Sequence, residues 1–295
     1  MPGIKELLKR IAARAVRPGL APVHAHLSQV DARVGRVEEA LERLAGATID
    51  REKHREELAY WRWLIKTEKG RASMAAPFEV TFGKWQRDRL CELGECLMGI
   101  DHPSITPDLP RHEPGPFIDA WCATQSVVEI GAGPYPAIAA APSWRRAVAV
   151  DPLARNYAEE GLLPAAANHI TYLEAPGERI ALPAEFADLV IIENALDHVS
   201  DPAAVLREIR RLLAPRGLLW LLVDLSSYTD HMHPHPFDES RLRTLLEEAG
   251  FTPLADRVSD HKSHPQAYGE YRGLLEKRGA GVRPSAGVRA RAAED

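Results

Sequence analysis

Residues 126–140 read SVVEIGAGPYPAIAA. An apolar run of strand length turns through Gly131 and Gly133 into small helix-forming residues. A strand that turns through glycines into a helix is where parallel α/β sheets hold a nucleotide-like cofactor, beyond the carboxyl ends of the strands. A dinucleotide turn needs Gly-x-Gly-x-x-Gly, with free backbone N–H groups at the helix start to hold pyrophosphate. Here the third glycine position is Pro136, and Pro134 also lacks an N–H. The turn is a poor anion cradle.

Downstream of this stretch, strand and helix patterns alternate. Strands are predicted at Val127–Gly131, Ala147–Asp151, Ile170–Glu174, Leu189–Glu193 and Leu218–Val223, with helices at Pro202–Leu213 and Asp238–Ala249. After Gly250, FTPLADRV and QAYGEYRGLLEKRG read as two further strands joined by a hairpin-like excursion. Apolar strands separated by helices imply a doubly wound α/β sheet, here of seven strands.

S-adenosyl-L-methionine (SAM) carries no phosphate, so it requires only a turn tight enough for backbone to approach its methionine and ribose. Gly131 and Gly133 meet that requirement. Asp151 ends the next predicted strand, twenty positions after Gly131, where a carboxylate accepts from both ribose hydroxyls. The same residue also reads as a helix N-cap ahead of Pro152 at the first helical position.

The segments VVEIGAGP, AVAVDP, GERIALP, FADLVIIENALDHVSDPAAVLREIRRLLAPRG and FDESRLRTLLEEAGF follow one another in an order and spacing that resembles class I SAM-dependent methyltransferases. The resemblance spans roughly Phe117 to Lys277. It implies a Rossmann-like methyltransferase sheet with SAM as cofactor. Glu129, Gly131, Ala132 and Gly133 would flank the methionine end, Asp151 with Pro152 the ribose, and Asn194 the cofactor's acceptor side. Pro176–Glu178 would border the adenine. The family often has an Asp before this Glu; Gly177 stands here, which leaves adenine contact to the backbone N–H of Gly177 or Glu178.

Methyl transfer from a sulfonium is an in-line displacement, and a hydroxyl acceptor must also lose a proton. ENALDHVSDP places Asp197 and His198 just past the fourth strand, and His198 is the first candidate for general base. A histidine that packs beside the sulfonium or caps the next helix is the alternative. In SSYTDHMHPHPFDES the Asp230, His233 and Phe237 spacing resembles a loop of this methyltransferase branch, and His233 is named as base or acceptor ligand. His231, His233 and His235 alternate in a manner compatible with a metal. Pro234 and Pro236 nevertheless hold the loop extended, so the side chains need not converge, and no metal is assigned. The stretch after the fourth strand lacks the Asp/Asn-Pro-Pro-aromatic motif of DNA amino-methyltransferases. Only Glu193 stands where arginine methyltransferases use two glutamates. An oxygen acceptor on a glycan or a small molecule remains.

Net charge is −5, so no nucleic-acid partner is expected. Cys91, Cys96 and Cys122 form neither a disulfide framework nor a zinc motif, which points to a cytoplasmic protein. Residues 1–19 read as a short basic amphipathic segment, either a solvated helix or a peripheral membrane contact. Over 20–46 the apolar positions Val23, Leu27, Val30, Val34, Val37, Leu41 and Leu44 alternate four and three apart, a heptad seam. Homo-oligomerisation through residues 23–44 is expected, the alternative being one amphipathic helix lying on the catalytic domain. Residues 47–100 form a helical region: one helix from about Asp50 to Lys69, stopped by Gly70, with Leu58, Trp61 and Leu64 on one face, and another with Trp85, Leu90, Leu93 and Leu97 on one face. Residues 101–116 read as a proline-rich linker at a domain boundary, 117–277 as the SAM-dependent domain and 278–295 as a disordered tail. YWRW and WQRDRL ahead of such a domain look like proteins that modify bacterial surface polysaccharides. Three functions are carried forward: O-methylation of a sugar hydroxyl, O-methylation of a lipid-like or secondary metabolite, and a catalytically silent scaffold.

Overall fold

A computed structural model describes residues 51–74 and 78–279. The expected coiled coil, the basic segment before it and all but the first two residues of the expected tail lie outside the described residues. The chain divides into two compact units, Met1–Lys53 and His54–Asp295, and the second carries the sheet.

Its elements run in chain order as α1 (54–66), α2 (Glu68–Ala72), α3 (Phe78–Met98), α4 (Pro114–Cys122), β1 (Ser126–Ile130), β2 (Arg146–Asp151), α5 (Ala154–Glu159), β3 (Thr171–Glu174), β4 (Ala187–Glu193), α6 (Pro202–Leu212), β5 (Leu213–Leu225), α7 (Glu239–Glu248), β6 (Phe251–Ser259) and β7 (Gly269–Lys277). The seven strands lie in the order β3-β2-β1-β4-β5-β7-β6. The first five are parallel. β7 enters antiparallel between β5 and β6, with Leu225 opposite Gly269. That register returns the excursion between β6 and β7 to the edge where the parallel strands end.

Strand alternation divides the core between the two faces of the sheet. Val128, Ile130, Val190, Ile192, Leu219 and Leu221 bury against Val205, Leu206 and Ile209 of α6 and Leu242 and Leu246 of α7. Val127, Ala149, Leu189, Ile191, Leu218 and Trp220 bury against Leu90, Leu93 and Leu97 of α3 and Phe117, Ile118 and Trp121 of α4. α6 begins where Asp201 accepts from the Ala204 N–H, with Pro202 as its first residue. Asp238 does the same for α7 through Arg241. Gly250, at φ +83°, follows α7 and turns the chain into β6.

Three expectations for the helical region need correction. Trp85 is 38% exposed and does not share the face of Leu90, Leu93 and Leu97; five residues rotate a helix by about 140° past that face. Its ring instead lies under the Arg89 guanidinium. The long helix ends at residue 66 rather than at Gly70, because the Thr67 side chain accepts from the Gly70 N–H and starts α2. Gly70 is buried inside α2, where a Cβ would stand 2.1 Å from the Trp63 carbonyl oxygen. Finally, α3 and α4 share one core cluster, so residues 101–113 connect two helices within one unit and separate no domains. Ile105 and His102 are themselves buried there.

Candidate functional site

The two prolines of the glycine turn leave its polar groups facing inward. Gly131 and Ala132 donate to the Val150 carbonyl. The Gly133 N–H donates to Asp151 Oδ2 at 3.0 Å. The Ala137 and Ile138 N–H groups donate to the two oxygens of Glu129 at 2.9 and 3.0 Å. Of the proline carbonyls, Pro136 accepts from Gln86 at 2.7 Å and Pro134 from the Tyr172 hydroxyl at 3.4 Å. The element after the turn is a four-residue 3-10 helix, Ala137–Ala140, whose two leading N–H groups are already taken by a carboxylate. A pyrophosphate would find the two leading donors of this helix already taken.

Gly131 and Gly133 hold φ of +67° and +57°, a region glycine enters without steric cost. At Gly131 a Cβ would lie 2.4 Å from the Cβ of Ala195. The turn after β1 and the loop after β4 therefore touch through a hydrogen atom. Asp151 is buried, and its Oδ1 accepts from the Leu153 N–H at 2.8 Å. The N-cap of α5 is Leu153, so Asp151 bridges two backbone turns and does not cap a helix with Pro152 at its first position. Burial pushes the Glu129 carboxyl up to about 8, against the pull of its two N–H partners. Its oxygens are committed to the turn, on the sheet face covered by α3.

Gly177 is buried, with a Cβ position 3.0 Å from Ile130. Glu178 accepts from the Ser200 and Asp201 N–H groups at the start of α6, at 2.8 and 3.1 Å. Asn194 follows β4 at φ +48°. Its amide nitrogen donates to the Ser263 hydroxyl at 2.9 Å, while its buried Oδ1 has no hydrogen-bond partner among the described residues.

Asp197, His198 and His233 come together at the ends of β4 and β5. Asp197 is buried, with Oδ1 3.9 Å from His198 Nε2. The His198 and His233 rings are 4.4 Å apart. His233 Nδ1 lies 3.0 Å from Asp230 Oδ1, which also accepts from the Met232 and His233 N–H groups. Although burial works in the opposite direction, these hydrogen bonds hold the Asp230 carboxyl down at about 2. His231 and His235 diverge from this cluster, to Glu56 at 2.8 Å and to the Ser200 carbonyl at 3.0 Å. The extended loop thus sends three alternate histidines to three places.

Sequence reasoning missed His264. It lies in the excursion between β6 and β7, 4.8 Å from the His233 ring and stacked on Tyr228. The Ser263 and His264 N–H groups both donate to Asp224 near the end of β5. The small pocket here is lined by Asp197, Asp224, Ser226, Tyr228, His233 and His264, among others. The available signal was an Asp inside an otherwise apolar strand, with no partner nearby in sequence. Missed too was α1. Trp61 packs with Leu64, Tyr135 and Phe82 beside the glycine turn, and a Cβ on Gly133 would meet the Trp61 ring at 3.5 Å. From the same helix, Glu57 accepts from the Tyr157 hydroxyl of α5.

Glu193 faces inward. It accepts from the Trp220 indole at 2.8 Å and lies 3.9 Å from Arg89, in a buried network with Glu270, Arg272 and Glu92. Its carboxyl, raised mainly by burial, belongs to the packing of α3 on β4, β5 and β7.

Residues 128–221 match a family model described as a methyltransferase domain. That stretch, from β1 into β5, carries a methyltransferase domain. No curated protein sequence matches the chain. Among solved structures, the chain is similar to a SAM-dependent methyltransferase from Methanosarcina mazei, at 14% identity, 52% of this chain, 93% of that chain and a TM-score of 0.44. It is also similar to one from Mesorhizobium loti, at 15% identity, 52% and 92% coverage and a TM-score of 0.43. A third is the trans-methyltransferase CalH in complex with SAH, at 19% identity, 54% and 53% coverage and a TM-score of 0.43. Among the described residues, no helix is long and apolar enough to cross a membrane.

Proposed function

We propose that the chain is an O-methyltransferase acting on a polyhydroxylated acceptor, with a sugar hydroxyl of a glycan as the favoured group. The observation that carries this reading is the close approach of Gly131 to Ala195. It sets the turn assigned to SAM directly against the loop that bears Asp197 and His198. In this reading SAM lies across Gly131, Ala132 and Gly133 with its ribose on Asp151. The acceptor hydroxyl enters the pocket beside Asp197 and His233, and an imidazole of the His198, His233 and His264 group takes its proton. Oxygen attacks the methyl carbon as the carbon–sulfur bond breaks, releasing neutral S-adenosylhomocysteine. The pocket has room for a single small group such as one hydroxyl, with the carboxylates of Asp197 and Asp224 and the imidazoles of His233 and His264 in its lining.

The test joins calorimetry of SAM and S-adenosylhomocysteine with transfer of a labelled methyl group to defined oligosaccharides and to phenolic and lipid alcohols. Micromolar cofactor binding and a new O-methyl signal on a sugar are expected. Methylation confined to the apolar alcohols would replace the glycan reading with the small-metabolite one. Transfer only to nitrogen or carbon would remove the oxygen acceptor altogether.

A further inference from the structure

Asp197, His198 and His233 each offer one ligand atom, and those atoms lie within 4.8 Å of one another. Ligands on one cation at about 2.0–2.1 Å stand about 3.4 Å apart in a tetrahedral set. The Asp197–His198 pair is at 3.9 Å, and modest side-chain rotation closes the difference for two half-buried imidazoles. The carboxylate is buried, where a negative charge gains most from a cation beside it.

The surroundings add an independent observation. His233 Nδ1 is within hydrogen-bond distance of Asp230, whose carboxylate is itself fixed by two backbone N–H groups. Nδ1–H donating to Asp230 leaves the lone pair on Nε2. A carboxylate that sets the tautomer and ring orientation of a histidine is the usual outer support of a metal ligand. Two imidazoles and one carboxylate suit a borderline transition-metal cation better than magnesium or calcium.

We infer that Asp197, His198 and His233 form a binding site for one divalent cation of the zinc class, at the acceptor side of the methyltransferase. This inference rests on the acceptor-side reading above and deepens it: His198 and His233 become ligands, and His264 is the imidazole left to accept a proton. The acceptor hydroxyl would complete the coordination. Its oxygen loses a proton to His264, the resulting cation-bound alkoxide attacks the methyl carbon, and the bond to sulfur breaks with its electrons left on sulfur. One proton, one ether and one thioether result from one alcohol and one sulfonium. The cation lowers the alcohol's pKa as it lowers that of bound water.

Full-length protein stripped with a chelator is titrated with Zn2+ by calorimetry, without cofactor. One equivalent at micromolar affinity or tighter is expected. Asp197→Asn and His233→Ala should each weaken it by about 100-fold, and Asp230→Asn, which alters only the support, by about 10- to 100-fold. A His231→Ala/His235→Ala double variant should bind as the unaltered protein does. Co2+ should give ligand-field absorption bands that Asp197→Asn abolishes. SAM affinity, measured on every variant, reports that the fold is intact. Absence of binding, unchanged affinity in Asp197→Asn, or loss in the double variant would each overturn the site. Methyl transfer to hydroxyls by protein that binds no Zn2+ would remove the cation and leave the O-methyltransferase reading standing. Zn2+ binding on the expected residues, with methyl transfer only to nitrogen or carbon, would do the reverse.

Discussion

Gly131, Asp151 and Glu129 make separate demands on the chain, and each can be tested alone. Alanine at Gly131 would combine a left-handed φ with a Cβ 2.4 Å from Ala195. A loss of about 1–3 kcal/mol is expected, read as a lower melting temperature, along with lost SAM binding. Asp151→Ala should lower the melting temperature, because the Gly133 and Leu153 N–H groups lose their acceptor, and weaken SAM by at least about 10-fold, since a charge-assisted hydrogen bond is worth about 1.5–3 kcal/mol; unchanged affinity in calorimetry would move the ribose elsewhere. Glu129 carries a pH signature. Its folded pKa of about 8 lies above the ordinary carboxyl value of 4.5, so the folded state favours the protonated form. That stabilisation is complete below about pH 4.5 and fades as pH rises through about 8. Thermal denaturation between pH 5.5 and 8.5 should therefore show a decline that Glu129→Gln flattens.

At the scale of elements, the site depends on what crosses the strand ends. α1 sets Trp61 against the glycine turn while Glu56 and Glu57 reach His231 and Tyr157, and the β6–β7 excursion delivers His264 to His233. Removing the Trp61 ring should loosen the turn: Trp61→Ala is expected to speed hydrogen exchange at the Gly133 and Tyr135 amides while leaving the β4 and β5 amides protected. Equal acceleration across the sheet would mean that α1 supports the whole fold and not the turn. Asp224→Ala should release the backbone of Ser263 and His264, with a larger effect on acceptor KM than on SAM affinity.

For the molecule as a whole, the heptad seam of residues 23–44 is proposed to assemble copies of the chain. Light scattering of the full-length protein should give a mass above that of one 295-residue chain, and Val34→Arg with Leu41→Arg should reduce it to the monomer with SAM affinity intact. A monomeric mass for the unaltered chain would remove the oligomer. Such an assembly would present several acceptor pockets to a repetitive polymer, which raises avidity without any new contact.

Taken alone, the sequence determined the α/β sheet, its seven strands, the glycine turn and the candidates Asp151, His198 and His233, because continuous apolar runs, glycine turns and helix caps act between near neighbours in the chain. His264, Trp61 and the commitment of Glu129 to the turn were decided by tertiary structure. The antiparallel entry of β7 brings back a loop some seventy residues distant from His198 in sequence, and no local propensity records where such a loop returns. The heptad reading was local as well, but Trp85 showed the limit of that logic: a regular spacing says which residues share a face only while the count stays within the helical period. Which face is buried depends on the partner that packs there.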